Sequence, residues 1–309
     1  MAMDRAAYWK IAEMGMEANA RERTIEYLAE HLGHFLRKRE PVLICFIEEG
    51  ERSLSAVMRE AVLRCGAVPV VWEKDHRWKT LLQQAFFSKA SAIIGSPLIV
   101  LGLAKLKRHN GTPLYIRRVM TAGYPCPDWM IDGIVKGLDC EMGGCFTLGE
   151  SGVVSGFACG RSWGVHIREE EYGVDIVDEE GNLLPDGELG EMVLYPKALP
   201  RLRYPMGENA RRLTARCKCG SAAPRLLDMQ PGRTEDPDLA ILGQQLQSWT
   251  SVLDCRLNKG ESGLEIEIIC FAGEKLPKLP TAAKLIIRPW NPKSDEPFWY
   301  VPTLKNAEK

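Results

Sequence analysis

The chain has 309 residues, 45% of them hydrophobic, and its 40 Lys and Arg nearly balance 41 Asp and Glu for a formal net charge of -1. That length supports a large core and two or three structural units, while the balanced charge leaves no surplus to neutralise a phosphate backbone, so nucleic acid is not an expected partner. The longest apolar run, SPLIVLGLA, stops at Lys105, well short of the roughly 20 residues of a bilayer span. The N-terminus, MAMDRAAYWK, is charged from its fourth residue and lacks the apolar stretch of a signal peptide, so a cytoplasmic protein with no membrane partner is expected. Its ten cysteines are then reduced, and clustered ones are metal ligands rather than disulfides.

In chain order, residues 1–40 read as helical. RTIEYLAEHLGHFLRK places Ile25, Leu28, Leu32 and Leu36 at spacings of three and four, one face of a helix. PVLICFI (41–47) is a buried strand, SLSAVMREAVLRCG (53–66) a helix closed by glycine, and AVPVVW (67–72) a second strand. LLQQAFF, SAIIGSP, LIVLGLAKLK and IRRVMTAGYP continue the alternation of helix and strand, which predicts a mostly parallel sheet covered by helices. Ligands of such sheets lie beyond the carboxyl ends of the strands. The loops at 95–97 and 121–127 end strands there.

From about residue 140 the texture changes to short β segments with turn-forming EEGN and PDGE, and to the alternating GVDIVD of a strand with one wet face. A third texture follows QPGRTEDPD (230–238), where GLEIEIICF alternates and prolines interrupt KLPKLPTAAKLIIRPWNP. The expected organisation is an α/β core over 1–140, a β-rich subdomain over 141–231 and a small α+β C-terminal domain over 232–309.

Cys159 and His166 in CGRSWGVH and Cys217 and Cys219 in CKCG form a Cys3His set suited to tetrahedral zinc. All four positions would be filled by protein, leaving none for a reacting water, so the zinc is expected to be structural. The alternative is four unligated side chains near the surface. Cys45, Cys65, Cys140, Cys145, Cys255 and Cys270 lie in apolar segments and read as core. Cys126 is a loop thiol able to face a pocket, with no histidine and acid set to make it a nucleophile. His31, His34, His76 and His109 read as helix-surface or loop histidines.

Residues 91–236 resemble the adenylate-forming (AMP-binding) enzymes, most closely their phenylacetate-CoA ligase branch. The resemblance rests on SAIIGSP, TAGYPCP, CFTLGESG, GVHIREEEYGVDIVDEEGNLLPDGELGEMVLY, ALPRLRYPMGE, CKCGSAAPRL and PGRTED in family order. Such enzymes join a carboxylate to MgATP as an acyl-adenylate and pass the acyl group to coenzyme A. The resemblance implies that Phe146 lies beside adenine, that Ala122, Gly123, Tyr124 and Pro125 line the base, and that Glu150 helps hold magnesium. It further implies that Glu208 and Arg233 meet the ribose, and that Lys305 is the candidate for the lysine a C-terminal domain brings to the acyl-adenylate. Related proteins of the branch carry cysteines and a histidine at places matching the Cys3His set.

The departures from the pattern bear on activity. Residues 1–40 contain no Ser/Thr/Gly-rich phosphate loop, so a truncated member is expected. Gly149 replaces the hydroxyl residue before the glutamate, glutamate replaces aspartate at 208 and 235, and Lys305 lacks the family's preceding glycine. Three readings follow: a ligase-like protein that binds AMP, ATP with magnesium, CoA, a carboxylic acid or an acyl ligand and regulates or scaffolds; an active AMP-forming ligase, alone or completed by a partner chain; and an interaction module whose pocket Phe146, Tyr124 and Met206 have filled. Homo-oligomerisation is open in all three.

Overall fold

The computed structural model describes residues 18–46, 53–72, 76–147, 154–231, 237–260, 263–276 and 283–298. The first half alternates as its sequence predicts. Helices α1 (Ala18–Phe35), α2 (Leu54–Arg64), α3 (Trp78–Phe87), α4 (Pro97–Asn110) and α5 (Asp128–Leu138) are interleaved with strands β1 (Pro41–Cys45), β2 (Val68–Val71), β3 (Ala92–Gly95), β4 (Arg118–Thr121) and β5 (Glu141–Thr147). These five strands run parallel in the order β2-β1-β3-β4-β5. Their near-continuous apolar composition follows from burial on both faces. Val42, Ile44 and Ile94 point to the side covered by α1 and α2, whereas Leu43, Cys45 and Ile93 point to the side covered by α3, α4 and α5.

Local chemistry sets the helix ends. The Ser53 hydroxyl accepts the Ala56 N–H at 3.2 Å to start α2, Pro97 opens α4, and Gly111 closes α4 at φ 62. Ile25, Leu28 and Leu32 of α1 are fully buried, so the stripe seen in the sequence is the packing face. At Gly102, a β-carbon would come within 2.1 Å of the Trp78 ring, and that close approach lets α4 lie against α3.

Beyond β5 the same sheet continues antiparallel through β6 (Val154–Phe157), β7 (Val165–Ile167), β11 (Arg225–Pro231), β10 (Tyr204–Leu213), β9 (Leu189–Pro196) and β8 (Tyr172–Val177), making 11 strands. This half has its own core, built from Val165, Ile167, Val174, Ile176, Met192, Leu194 and Leu226. The expected α/β class, with a parallel half and a β-rich half, is what the chain forms.

Helix α6 (Pro237–Ser248) and a separate sheet of β12 (Val252–Gly260), β13 (Gly263–Cys270) and β14 (Lys284–Pro289) complete the described chain. This unit shares a core with the parallel half: Leu253, Ile269 and Phe271 pack with the α3, α4 and α5 side chains, and the His109 ring stacks on Phe271 at 4.1 Å. His109 is therefore an inter-element contact, not merely a surface histidine. Lys105, 6% exposed, donates from Nζ to the carbonyls of Gln247 and Val252 at 2.6 and 2.7 Å. Nearby Asp254 accepts from Gln247 Nε2 at 2.9 Å and from the Phe298 N–H at 2.6 Å. Desolvation pushes Lys105 down to about 8 and Asp254 up to about 6.

Candidate ligand cavity and metal cluster

The carboxyl ends of β4 and β5 open onto a cavity of about 670 Å³ between the parallel half and the β-rich half. That volume is ordinary for a small-molecule site. One wall comes from Tyr124, Cys126 and Trp129 around the start of α5, and the facing wall from residues 160–164 and the β11 residues Leu226–Gln230. A much smaller crevice, about 10 Å³, adjoins it and is lined by Gly123, Tyr124, Pro125, Cys145, Thr147, Glu208 and Met229. Tyr124, Cys145 and Met229 belong to both walls, so the two spaces are neighbours.

Chain geometry explains who lines the crevice. Gly123 has φ +95, a conformation open to glycine and strained for other residues, and it turns the chain away from β4. Ala122, fully buried, spends its N–H on the Gly95 carbonyl at 3.1 Å and lines neither space. Glu208 sits where the β9–β10 register shifts, next to Gly207 at φ +68. Desolvation raises its carboxyl to about 8, with no offsetting cation or donor among the described residues. Below that value the protonated carboxyl can donate a hydrogen bond as well as accept one. Thr147 Oγ1 is buried beside it without a hydrogen-bond partner among the described residues.

Of the remaining residues singled out from the sequence, Glu150, Arg233 and Lys305 lie outside the described residues, as do Gly149 and Glu235. Phe146 is described through its backbone, which pairs with Gly156 across β5 and β6. Cys126 does face the cavity, and burial raises its thiol to about 12, the opposite of what a nucleophile needs. Cys45, Cys145, Cys255 and Cys270 are buried as expected, whereas Cys65 and Cys140 are only half-buried at element ends.

The ligand atoms of Cys159, His166, Cys217 and Cys219 all lie within 4.8 Å of one another. Strand pairing makes the cluster: β7 carries His166 and pairs with β11 at Arg225, bringing the CKCG turn beside the end of β6. Cys159 Sγ is 3.6 Å from Cys217 Sγ, and Cys219 Sγ is 3.4 Å from His166 Nε2. A zinc tetrahedron with standard bond lengths has edges of about 3.8 Å between sulfurs and about 3.6 Å from sulfur to nitrogen. The His166 Nδ1 donates to the Ala223 carbonyl at 3.1 Å, which leaves Nε2 as the free lone pair facing the cluster. Burial alone would raise the Cys217 thiol. Hydrogen bonds from the Cys219 N–H and from the side chains of Ser162 and Cys219 outweigh it and lower the thiol to about 5, favouring thiolate.

The residues 160–164 were not singled out from the sequence as cavity wall. Their signal was a glycine-bounded segment, GRSWG, hung between two candidate metal ligands.

No protein-family profile and no curated protein matches the sequence. Solved structures do match in fold. A 2-hydroxyisobutyryl-CoA ligase in its postadenylation state with 2-HIB-AMP superposes with a TM-score of 0.68 at 14% identity, covering 95% of this chain and 71% of that one. The same ligase with R3-HIB-AMP gives 0.66 at 15% identity, covering 92% of this chain and 69% of that one. The chain therefore has the fold of the adenylate-forming acyl-CoA ligases. A benzoate CoA ligase from Burkholderia xenovorans LB400 agrees, with a TM-score of 0.54 at 13% identity, 86% of this chain and 62% of that one. Among the described residues, no helix is long and apolar enough to cross a membrane.

Proposed function

We propose that this chain is a ligand-binding protein of the phenylacetate-CoA ligase branch. It holds an adenine nucleotide in the crevice around Glu208, an acyl or carboxylic-acid ligand in the adjoining cavity, and one structural zinc on Cys159, His166, Cys217 and Cys219. The observation that carries the reading is the shared wall of Tyr124, Cys145 and Met229, which sets the ribose-end candidate Glu208 directly beside an apolar cavity of about 670 Å³. The neighbouring 2-hydroxyisobutyryl-CoA ligase holds an acyl-adenylate, 2-HIB-AMP, in this fold. For the metal, the support is the gathering of all four ligand atoms within 4.8 Å of one another, two pairs of them near tetrahedral edge lengths, together with the Nδ1 bond that presents Nε2 of His166.

In this reading adenylation is impaired and the protein regulates or scaffolds. Gly149 offers no hydroxyl to an α-phosphate, residues 1–40 carry no Ser/Thr/Gly-rich loop, and Glu208 is neutral where a carboxylate would grip both ribose hydroxyls. The division into 1–140, 141–231 and 232–309 belongs to the same proposal: metal in the middle unit, ligand between the first two. Calorimetric titration with AMP, ATP and CoA, alongside elemental analysis of protein purified without added metal, tests it. Binding of AMP with about one zinc per chain supports the proposal; absence of binding by all three compounds would sink it.

A further inference from the structure

The two features of the proposed function touch each other. Residues 160–164, which wall the large cavity, are the whole of the segment between the ligands Cys159 and His166 apart from Val165. The loop is tied to both halves of the cluster. The Arg161 N–H donates to Cys159 Sγ at 3.4 Å, and the Lys218 N–H, between Cys217 and Cys219, donates to Ser162 Oγ at 3.4 Å. A third tether is independent of the cluster: buried Arg225 donates to the Trp163 carbonyl at 3.0 Å. The metal cluster and one guanidinium thus hold the outer wall of the cavity.

What the loop presents is an arginine and a tryptophan. Trp163 is 57% exposed, unusual for so large an apolar ring, and it lines the cavity. Arg161 is exposed, and its guanidinium has no ion-pair partner among the described residues. The cavity's two carboxylates do not answer it. Asp228 pairs with Arg211 at 2.8 Å, and Asp128 sits in the first turn of α5, where the helix N-terminus offsets its charge. A cation left uncompensated beside Trp163, Trp129, Met142, Leu226 and Met229 is complementary to an organic anion with an apolar body.

We infer that the segment Arg161–Gly164 is a metal-strapped specificity wall: Trp163 packs on the apolar body of the ligand, Arg161 pairs with its anionic group, and zinc at the cluster holds both in place. This rests on the cavity being a ligand site and the cluster a zinc site, as proposed above. The coupling is reciprocal, so ligand must tighten zinc by the factor that zinc tightens ligand.

Benzoate and benzamide, which share a ring and differ in charge, are the probes, titrated calorimetrically into the zinc-loaded full chain. Benzoate is expected to bind about tenfold more tightly than benzamide. Arg161→Gln should bring that ratio to near one while retaining zinc, and Arg161→Lys should restore part of it. Trp163→Ala should weaken both probes by about tenfold and leave their ratio alone. Stripping zinc with a chelator should weaken benzoate by about fivefold or more, and saturating benzoate should raise zinc affinity equally. Because zinc removal could unfold the β-rich half, the two loop variants, which replace no ligand of the cluster and keep the Arg161 N–H that donates to Cys159 Sγ, decide the matter alone. An unchanged benzoate-to-benzamide ratio in Arg161→Gln, or unchanged affinities in Trp163→Ala, overturns the inference. AMP titrated in parallel separates the layers: AMP binding without benzoate discrimination overturns this inference only, whereas loss of both overturns the reading beneath it.

Discussion

Replacing Glu208 with glutamine tests the protonation state on which the reading of the crevice depends. The carboxyl lies at about 8 in the folded chain against an ordinary 4.5, because burial disfavours its charge. The folded state therefore keeps a proton that the unfolded chain has released, and between these two values stability falls as pH rises, by about 1.4 kcal/mol per unit. From pH 5 to pH 7 the ceiling is about 2.7 kcal/mol, and water entering the crevice lowers it. Glutamine is neutral throughout and nearly the same shape, so Glu208→Gln removes this slope and little else. At pH 5 the two proteins should melt together. By pH 7.5 the variant should be the more stable by about 2 kcal/mol, which for a chain of this size is about 3 °C. Thermal melts of both proteins at pH 5, 6, 7 and 8 give the difference directly. A difference that does not change with pH, or a variant less stable at pH 8, would refute the argument that half-buried Glu208 is desolvated and protonated.

Four further outcomes are expected. Cys217→Ser should lose the zinc and melt several degrees lower, because binding to a site formed only on folding adds to stability; full metal content with an unchanged melting temperature would reject the cluster. On the proposed reading, AMP and ATP should bind within about threefold of each other, since residues 1–40 offer no Ser/Thr/Gly-rich stretch to grip the extra phosphates, and AMP should bind more tightly at pH 8 than at pH 6 because ribose hydroxyls would donate to the ionised form of Glu208. Lys105→Met should cost about 1–3 kcal/mol in urea denaturation by leaving the Gln247 and Val252 carbonyls without their donor. Carboxylate-dependent exchange of pyrophosphate into ATP should be undetectable across aryl and short-chain acids; robust exchange abolished by Glu150→Gln would establish an active ligase instead.

Much of the fold was legible because element type is a local property. The period of Ile25, Leu28 and Leu32 specifies a buried helix face, PVLIC can be satisfied only by burial on both sides, and Ser53, Pro97 and Gly111 mark helix ends by chemistry that acts over three or four residues. The Cys3His set was legible for a related reason: two thiols one residue apart at CKCG are a chelating pair in almost any backbone. What only the tertiary structure decided are the meetings of residues far apart in the chain. Strand order β6-β7-β11 brings Cys159 within 3.6 Å of Cys217, 58 residues away, and the same pairing lays GRSWG over the cavity. Lys105 reads as the polar end of an apolar run, yet it is 6% exposed beneath the C-terminal unit. Glu208 reads as an ordinary carboxylate, yet desolvation at its half-buried position raises it to about 8. Side-chain periodicity fixes which face of a strand or helix is apolar, but burial and dielectric depend on what covers that face, and that is set by long-range packing that no local pattern records.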